Sequence, residues 1–152
     1  MGLSAVLNDK VIIMDLKSKT KPEIINELVE VLYTSGKIKN KELFVKSVLD
    51  REKLGSTGIG KGIAIPHGKV EGIEGVVVAM GLSKKGIEFD ALDDKPVHSV
   101  FLIAANPDNS SHYLKTLAKL SRIVRFPDFR TKLMDATKPS EVIDVILNFE
   151  EN

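Results

Sequence analysis

GSTGIGKGIAIPHGK, residues 55–69, decides how the rest of the chain is read. Gly55, Gly60 and Lys61 stand at the spacing of a phosphate-binding loop, but Gly62 occupies the position where Ser or Thr would hold magnesium. A nucleotide loop also runs from a buried strand into a helix whose N-terminus receives the phosphates. Here a helical pattern precedes the glycines and an extended one follows. The same reversal argues against a dinucleotide fingerprint built on Gly58, Gly60 and Gly62. What remains is a glycine-rich segment leading to a histidine held between Pro66 and Gly68. It reads equally as a chain-reversing turn or as a pocket in which backbone amides approach an anion. Pro66 lowers the entropy lost in fixing the imidazole of His67.

Outward from this stretch, apolar periodicity alternates between helical and extended. TKPEIINELVEVLYTSGK predicts a helix with Thr20 and Glu23 as a capping box and Ile24, Ile25, Leu28, Val31 and Leu32 on one face. A second helix starts at Asn40 and stops at Gly55. Residues 10–14 and 62–66 read as short strands, the latter ending just before His67. Residues 75–83 read as a strong strand, 86–96 as loop with room for a short strand, and 98–105 as a central strand covered on both faces. HYLKTLAKLSRIVRF reads as a helix with Leu114, Leu117, Leu120, Ile123 and Val124 buried, followed by helices near 128–135 and 139–149. The expected class is α/β (α+β): one domain over residues 1–152, with a mixed parallel and antiparallel sheet flanked by helices on both faces.

Composition removes several function classes. The 152 residues carry 22 basic and 21 acidic side chains, so there is no basic face for nucleic acid. Without cysteine there is no disulfide, zinc thiolate or thiol catalysis. No apolar run approaches the roughly 18 residues of a membrane span, and no signal peptide is evident, so a cytoplasmic protein without membrane insertion is expected. No HxH or HExxH spacing supports a metal site.

A neutral imidazole near pH 7 is a competent nucleophile, and phosphoryl transfer asks of a protein mainly alignment and positive charge. Arg51 fits two roles equally: a planar fork for phosphate oxygens, or charge on a last helical turn. His112 reads first as a surface or capping histidine. The alternative is a donor to a phosphoryl oxygen from the first turn of its helix. Ser56 and Thr57 could add hydroxyl donors. His98, at the start of a strand, needs no functional explanation.

REKLGSTGIGKGIAIPHGK (51–69) resembles the active-site signature of enzyme IIA in the fructose/mannitol/nitrogen-regulatory branch of the bacterial phosphoenolpyruvate phosphotransferase system. The resemblance rests on the Arg-Glu pair, the STGIG turn and Ala-Ile-Pro-His-Gly, and continues through IEFDALDDKPVHSVFLIAA (87–105) and HYLKTLAKLSRIV (112–124). It implies that His67 accepts a phosphoryl group from phospho-HPr and passes it to a IIB-type partner, or, in nitrogen-regulatory members, that phosphorylation controls binding to regulatory targets. It also implies that Arg51 and His112 contact the phosphoryl group, with Ser56 and Thr57 as weaker phosphate-binding assignments, and that no cofactor, nucleotide or metal takes part. An apolar docking surface should surround His67, with Ile59, Ile63 and Ile65 as candidates, some of which the alternation along 62–66 buries.

Overall fold

Thr20 and Pro22 begin the first helix as the sequence predicts. The Thr20 hydroxyl accepts from the Glu23 amide and donates to the Glu23 carboxylate at 2.7 Å. In the computed structural model, which describes residues 2–150 apart from 74 and 109, this helix is α1 (Lys21–Thr34). Its buried face is Ile24, Ile25, Leu28, Val29 and Leu32, with Val31 at the margin. Asn40 caps α2 (Lys41–Lys53) by accepting from the Leu43 amide. The later helices are α3 (Ser111–Ile123), α4 (Pro127–Asp135) and α5 (Pro139–Glu150).

Six strands form one mixed sheet: β1 (Ile12–Ile13), β2 (Gly58–Gly60), β3 (Ile63–Ala64), β4 (His67–Lys69), β5 (Val76–Ile87) and β6 (Val97–Ala105). The order is β1-β5-β6-β3-β2, and β4 also pairs with β6. Alternate side chains of a strand face opposite sides of the sheet. Every residue of β6 except His98 is buried, so both faces are covered. The helix pair α1 and α2 and the group α3, α4 and α5 supply the two layers. The protein is a single α/β domain with a mixed sheet.

The decisive stretch departs from its sequence reading in two places. Gly58–Gly60 is a strand, not only a turn, and it closes an antiparallel hairpin with β3. The reversal falls at Lys61 and Gly62, both at positive φ (59° and 79°), as a two-residue hairpin turn requires. The strand predicted to end before His67 stops at Ala64, and His67 opens a new one. β3 and β4 lie end to end along the same edge of β6, at Ser99–Val100 and Ile103–Ala105. Pro66 sits at the break. It has no amide to give the ladder, and its carbonyl accepts from the Ile103 amide at 3.0 Å. Elsewhere, β5 runs past residue 83 to Ile87 after a register shift. Leu114 is 56% exposed rather than buried. The buried line of α3 runs through Leu120 and Ile123, with Tyr113 and Leu117 partly covered.

Helix α2 is laid directly on β4. Ser47 Oγ accepts from the Lys69 amide at 2.8 Å. A Cβ on Gly68 would stand 2.8 Å from Val48 Cγ2 and 2.9 Å from the Val48 backbone nitrogen. Because backbone cannot swing aside like a side-chain tip, Gly68→Ala should cost about 1–3 kcal/mol of stability. Chemical denaturation checks this, and an unchanged midpoint would show that α2 yields freely.

Candidate functional site

The residues around His67 are joined by a run of hydrogen bonds that starts in α2. Glu52 lies on the buried stripe Phe44–Val48–Glu52 of that helix. Its carboxylate accepts from both the amide and the hydroxyl of Thr57 and pairs with Lys21 Nζ at 3.0 Å. The Thr57 carbonyl accepts from the Ile65 amide at 3.0 Å. The Ile65 carbonyl in turn faces His67 Nδ1 at 3.0 Å. A carbonyl only accepts, so Nδ1 carries the proton and the lone pair lies on Nε2.

His67 is half-buried, and its pKa is lowered from the ordinary value of about 6.5. Burial is the main cause. The hydrogen bond to Ile65 opposes it, the charge of Arg51 adds to it, and that of Glu52 opposes it. The imidazole is therefore neutral and nucleophilic at pH 7. The NMR titration of His67 should have its midpoint below about 6.5. In the window between the lowered pKa and that value the unfolded chain binds more protons, so this group's contribution to stability declines as pH falls through it. A midpoint above the ordinary value would mean that the Ile65 carbonyl outweighs burial.

Arg51 occupies the last turn of α2 and donates from Nη1 to the Gly55 carbonyl at 2.9 Å, and among the described residues its other N–H groups have no acceptor. Its charge acts on His67 and also on Tyr113. The Tyr113 ring, in the first turn of α3, meets the His67 ring at 5.5 Å between centroids, tilted by 44°. His112 is exposed and lies beside Gly75 at the head of β5, its Cγ 3.6 Å from where a Cβ on that glycine would stand. Among the described residues no ring contact or hydrogen bond joins His112 to His67.

Ser56 and Thr57 lie in the loop between α2 and β2, and their hydroxyl protons are committed. Ser56 donates to the Phe89 carbonyl at 2.9 Å while accepting from the Gly58 amide, and Thr57 donates to Glu52. His98 is structural: Nδ1 donates to the Ser83 carbonyl at 2.8 Å. Of the three isoleucines expected on a docking surface, Ile63 and Ile65 are buried, at 2% and 3% exposure, because both lie on segments that enter the sheet. Ile59 is 44% exposed, with Leu54 and Leu92 exposed on neighbouring loops.

Sequence reasoning singled out neither Glu52 nor Tyr113 for a role. Glu52 could have been found from its i, i+4, i+8 spacing with Phe44 and Val48, which puts a carboxylate on a buried face. Among the described residues no group of three or more potential ligands could hold a metal, and no helix is long and apolar enough to cross a membrane.

Residues 5–149 match the family model for the phosphoenolpyruvate-dependent sugar phosphotransferase system, EIIA 2. The chain is 32% identical to the fructose-specific EIIA component of Haloferax volcanii, covering 98% of this chain and 97% of that one. It is 36% identical to part of the fructose-specific EIIABC component of Bacillus subtilis, covering 96% of this chain but only 23% of that protein. The crystal structure of nitrogen regulatory protein IIA-Ntr from Neisseria meningitidis superposes with a TM-score of 0.86 at 28% identity, over 95% of this chain and 98% of that one. The mannitol IIA of Escherichia coli, solved in complex with phosphorylated IIB, superposes with a TM-score of 0.78 at 26% identity, over 93% and 97%.

Proposed function

The chain belongs to the type-2 EIIA family of the phosphoenolpyruvate-dependent sugar phosphotransferase system, and from that premise we propose that it is a cytoplasmic phosphoryl carrier working through His67. Nε2 attacks the phosphorus of a phosphorylated HPr-type protein. The new N–P bond forms as the bond to the donor breaks, and the electron pair leaves with the donor. A IIB-type partner of a fructose- or mannitol-like uptake system then takes the group by the reverse displacement. The observation that carries this reading is the tautomer: Nδ1–H is held by Ile65, so the lone pair is on Nε2.

The Ile65 carbonyl also meets the positive charge that the ring acquires as it donates its pair. Arg51 balances the charge of the phosphoryl oxygens and aligns them through its free N–H groups. His112 is assigned a supporting role from the first turn of α3, where the helix terminus favours an anion. Ser56 and Thr57, the weaker phosphate-binding assignments, act by shaping the loop. Leu54, Ile59 and Leu92 form the apolar rim against which small, transient partner interfaces close.

Incubation with phosphoenolpyruvate, enzyme I and HPr should label the protein once, with an acid-labile, alkali-stable phosphate, and a IIB-type domain should remove it. Failure to label would overturn the reading. The close superposition on IIA-Ntr favours a second reading of the same chemistry, in which the phosphorylated and unphosphorylated forms bind different regulatory targets. Transfer to no IIB-type domain, together with phosphorylation-dependent capture of a non-transport protein, would decide for it.

A further inference from the structure

We propose that Tyr113 holds the phosphoryl group on His67, its hydroxyl donating to a phosphoryl oxygen and its ring shielding the imidazole from water. This inference rests on His67 being the acceptor. Three observations support it. The Tyr113 ring is the aromatic neighbour of His67, at 5.5 Å between centroids and tilted by 44°, so it packs beside the imidazole. The two loop hydroxyls that might have served as donors have given their protons to Phe89 and Glu52. The Tyr113 hydroxyl, by contrast, makes no hydrogen bond among the described residues, and no buried polar side-chain atom there lacks a partner, so it faces an accessible space. Arg51 charge reaches both rings, which places the phenol in the same electrostatic neighbourhood as the guanidinium. Burial raises the Tyr113 pKa, with Arg51 acting against it, so the group keeps its proton at neutral pH and remains a donor.

The two contributions separate by substitution. Tyr113→Phe keeps the ring and removes the donor, whereas Tyr113→Ala removes both. A small-molecule donor, phosphoramidate, separates this inference from the carrier relay. In that reaction the Nε2 lone pair forms the N–P bond, the P–N bond of phosphoramidate breaks, and ammonia leaves with the pair. Tyr113→Phe should accept phosphate from either phosphoramidate or phospho-HPr about tenfold more slowly than the parent, as loss of one hydrogen bond to a charged group in the transition state implies. Its phosphohistidine lifetime should change little. Tyr113→Ala should show the same slowing and also a phosphohistidine that hydrolyses several-fold faster. The phosphorus NMR signal should shift in both.

Rates and lifetimes within about twofold of the parent in both variants, against an expected tenfold effect, would overturn the assignment while leaving His67 as carrier. A parent protein that takes phosphate from neither donor would overturn His67 as acceptor, and Tyr113 with it.

Discussion

His67→Ala should abolish phosphoryl labelling by phosphoenolpyruvate, enzyme I and HPr, leaving nothing above background. The reason is chemical. The chain has no cysteine and three histidines. His98 Nδ1 donates to a backbone carbonyl inside the sheet, and His112 stands in the open beside Gly75, without the carbonyl that fixes the His67 tautomer. The fold should survive, since the half-buried ring contributes one hydrogen bond, to Ile65, and one aromatic contact, to Tyr113. Losing these costs on the order of 1–3 kcal/mol. His67→Gln sharpens the test. It retains a polar side chain of similar reach but offers no nucleophilic nitrogen, so it should be as inactive as the alanine variant with a smaller loss of stability. Residual labelling in either variant, mapped to another histidine, would remove His67 from the centre of the mechanism.

The legible parts of the chain were those in which one local rule dominates. Thr20, Glu23 and Pro22 announce the start of α1, and Asn40 that of α2, because capping depends on a few adjacent residues. The near-continuous apolar run of β6 revealed its burial on both faces. The region around His67 was harder because pairing partners distant in sequence decide it. Nothing local shows that Gly58–Gly60 joins a hairpin, or that Ile63–Ala64 and His67–Lys69 dock in series on β6. Side-chain assignments followed the same division. Hydroxyls in a glycine-rich loop invite a phosphate role, yet whether their protons are free depends on Phe89 and Glu52, which only the fold brings near. Leu114 was placed on the buried side of α3 because it fits an i, i+3 series with Leu117 and Leu120. The true line passes through Tyr113 and Leu117, one position round the helix, and that small rotation puts an aromatic ring against the imidazole of His67.

Glu52→Ala should lower stability by about 3–5 kcal/mol, far more than any surface ion pair in the protein. Lys46–Asp50, at 2.7 Å on the exposed face of α2, is the comparison, and breaking it should leave stability nearly unchanged because water already screens it. Glu52 differs in burial and in connectivity. Its side chain is 4% exposed and that of its partner Lys21 is 14% exposed. Removing the carboxylate strands the ammonium against the Phe89 ring, 4.9 Å away, with only the largely exposed Asp90 at 3.5 Å to balance it. It also leaves the amide and hydroxyl of Thr57 without their acceptor. Glu52→Gln should fall between alanine and the parent, because an amide oxygen still accepts from Thr57 but does not neutralise Lys21. The damage should also reach the site. Thr57 holds Ile65, and Ile65 holds the proton of His67, so loosening the first bond lets the imidazole sample the other tautomer, in which Nε2 is protonated and cannot attack. Glu52→Gln should therefore remain folded at 25 °C while accepting phosphate more slowly than the parent. Urea unfolding and single-turnover labelling read the two effects separately. A Glu52→Ala protein within about 1 kcal/mol of the parent would show that the pair carries no more than a surface bridge does.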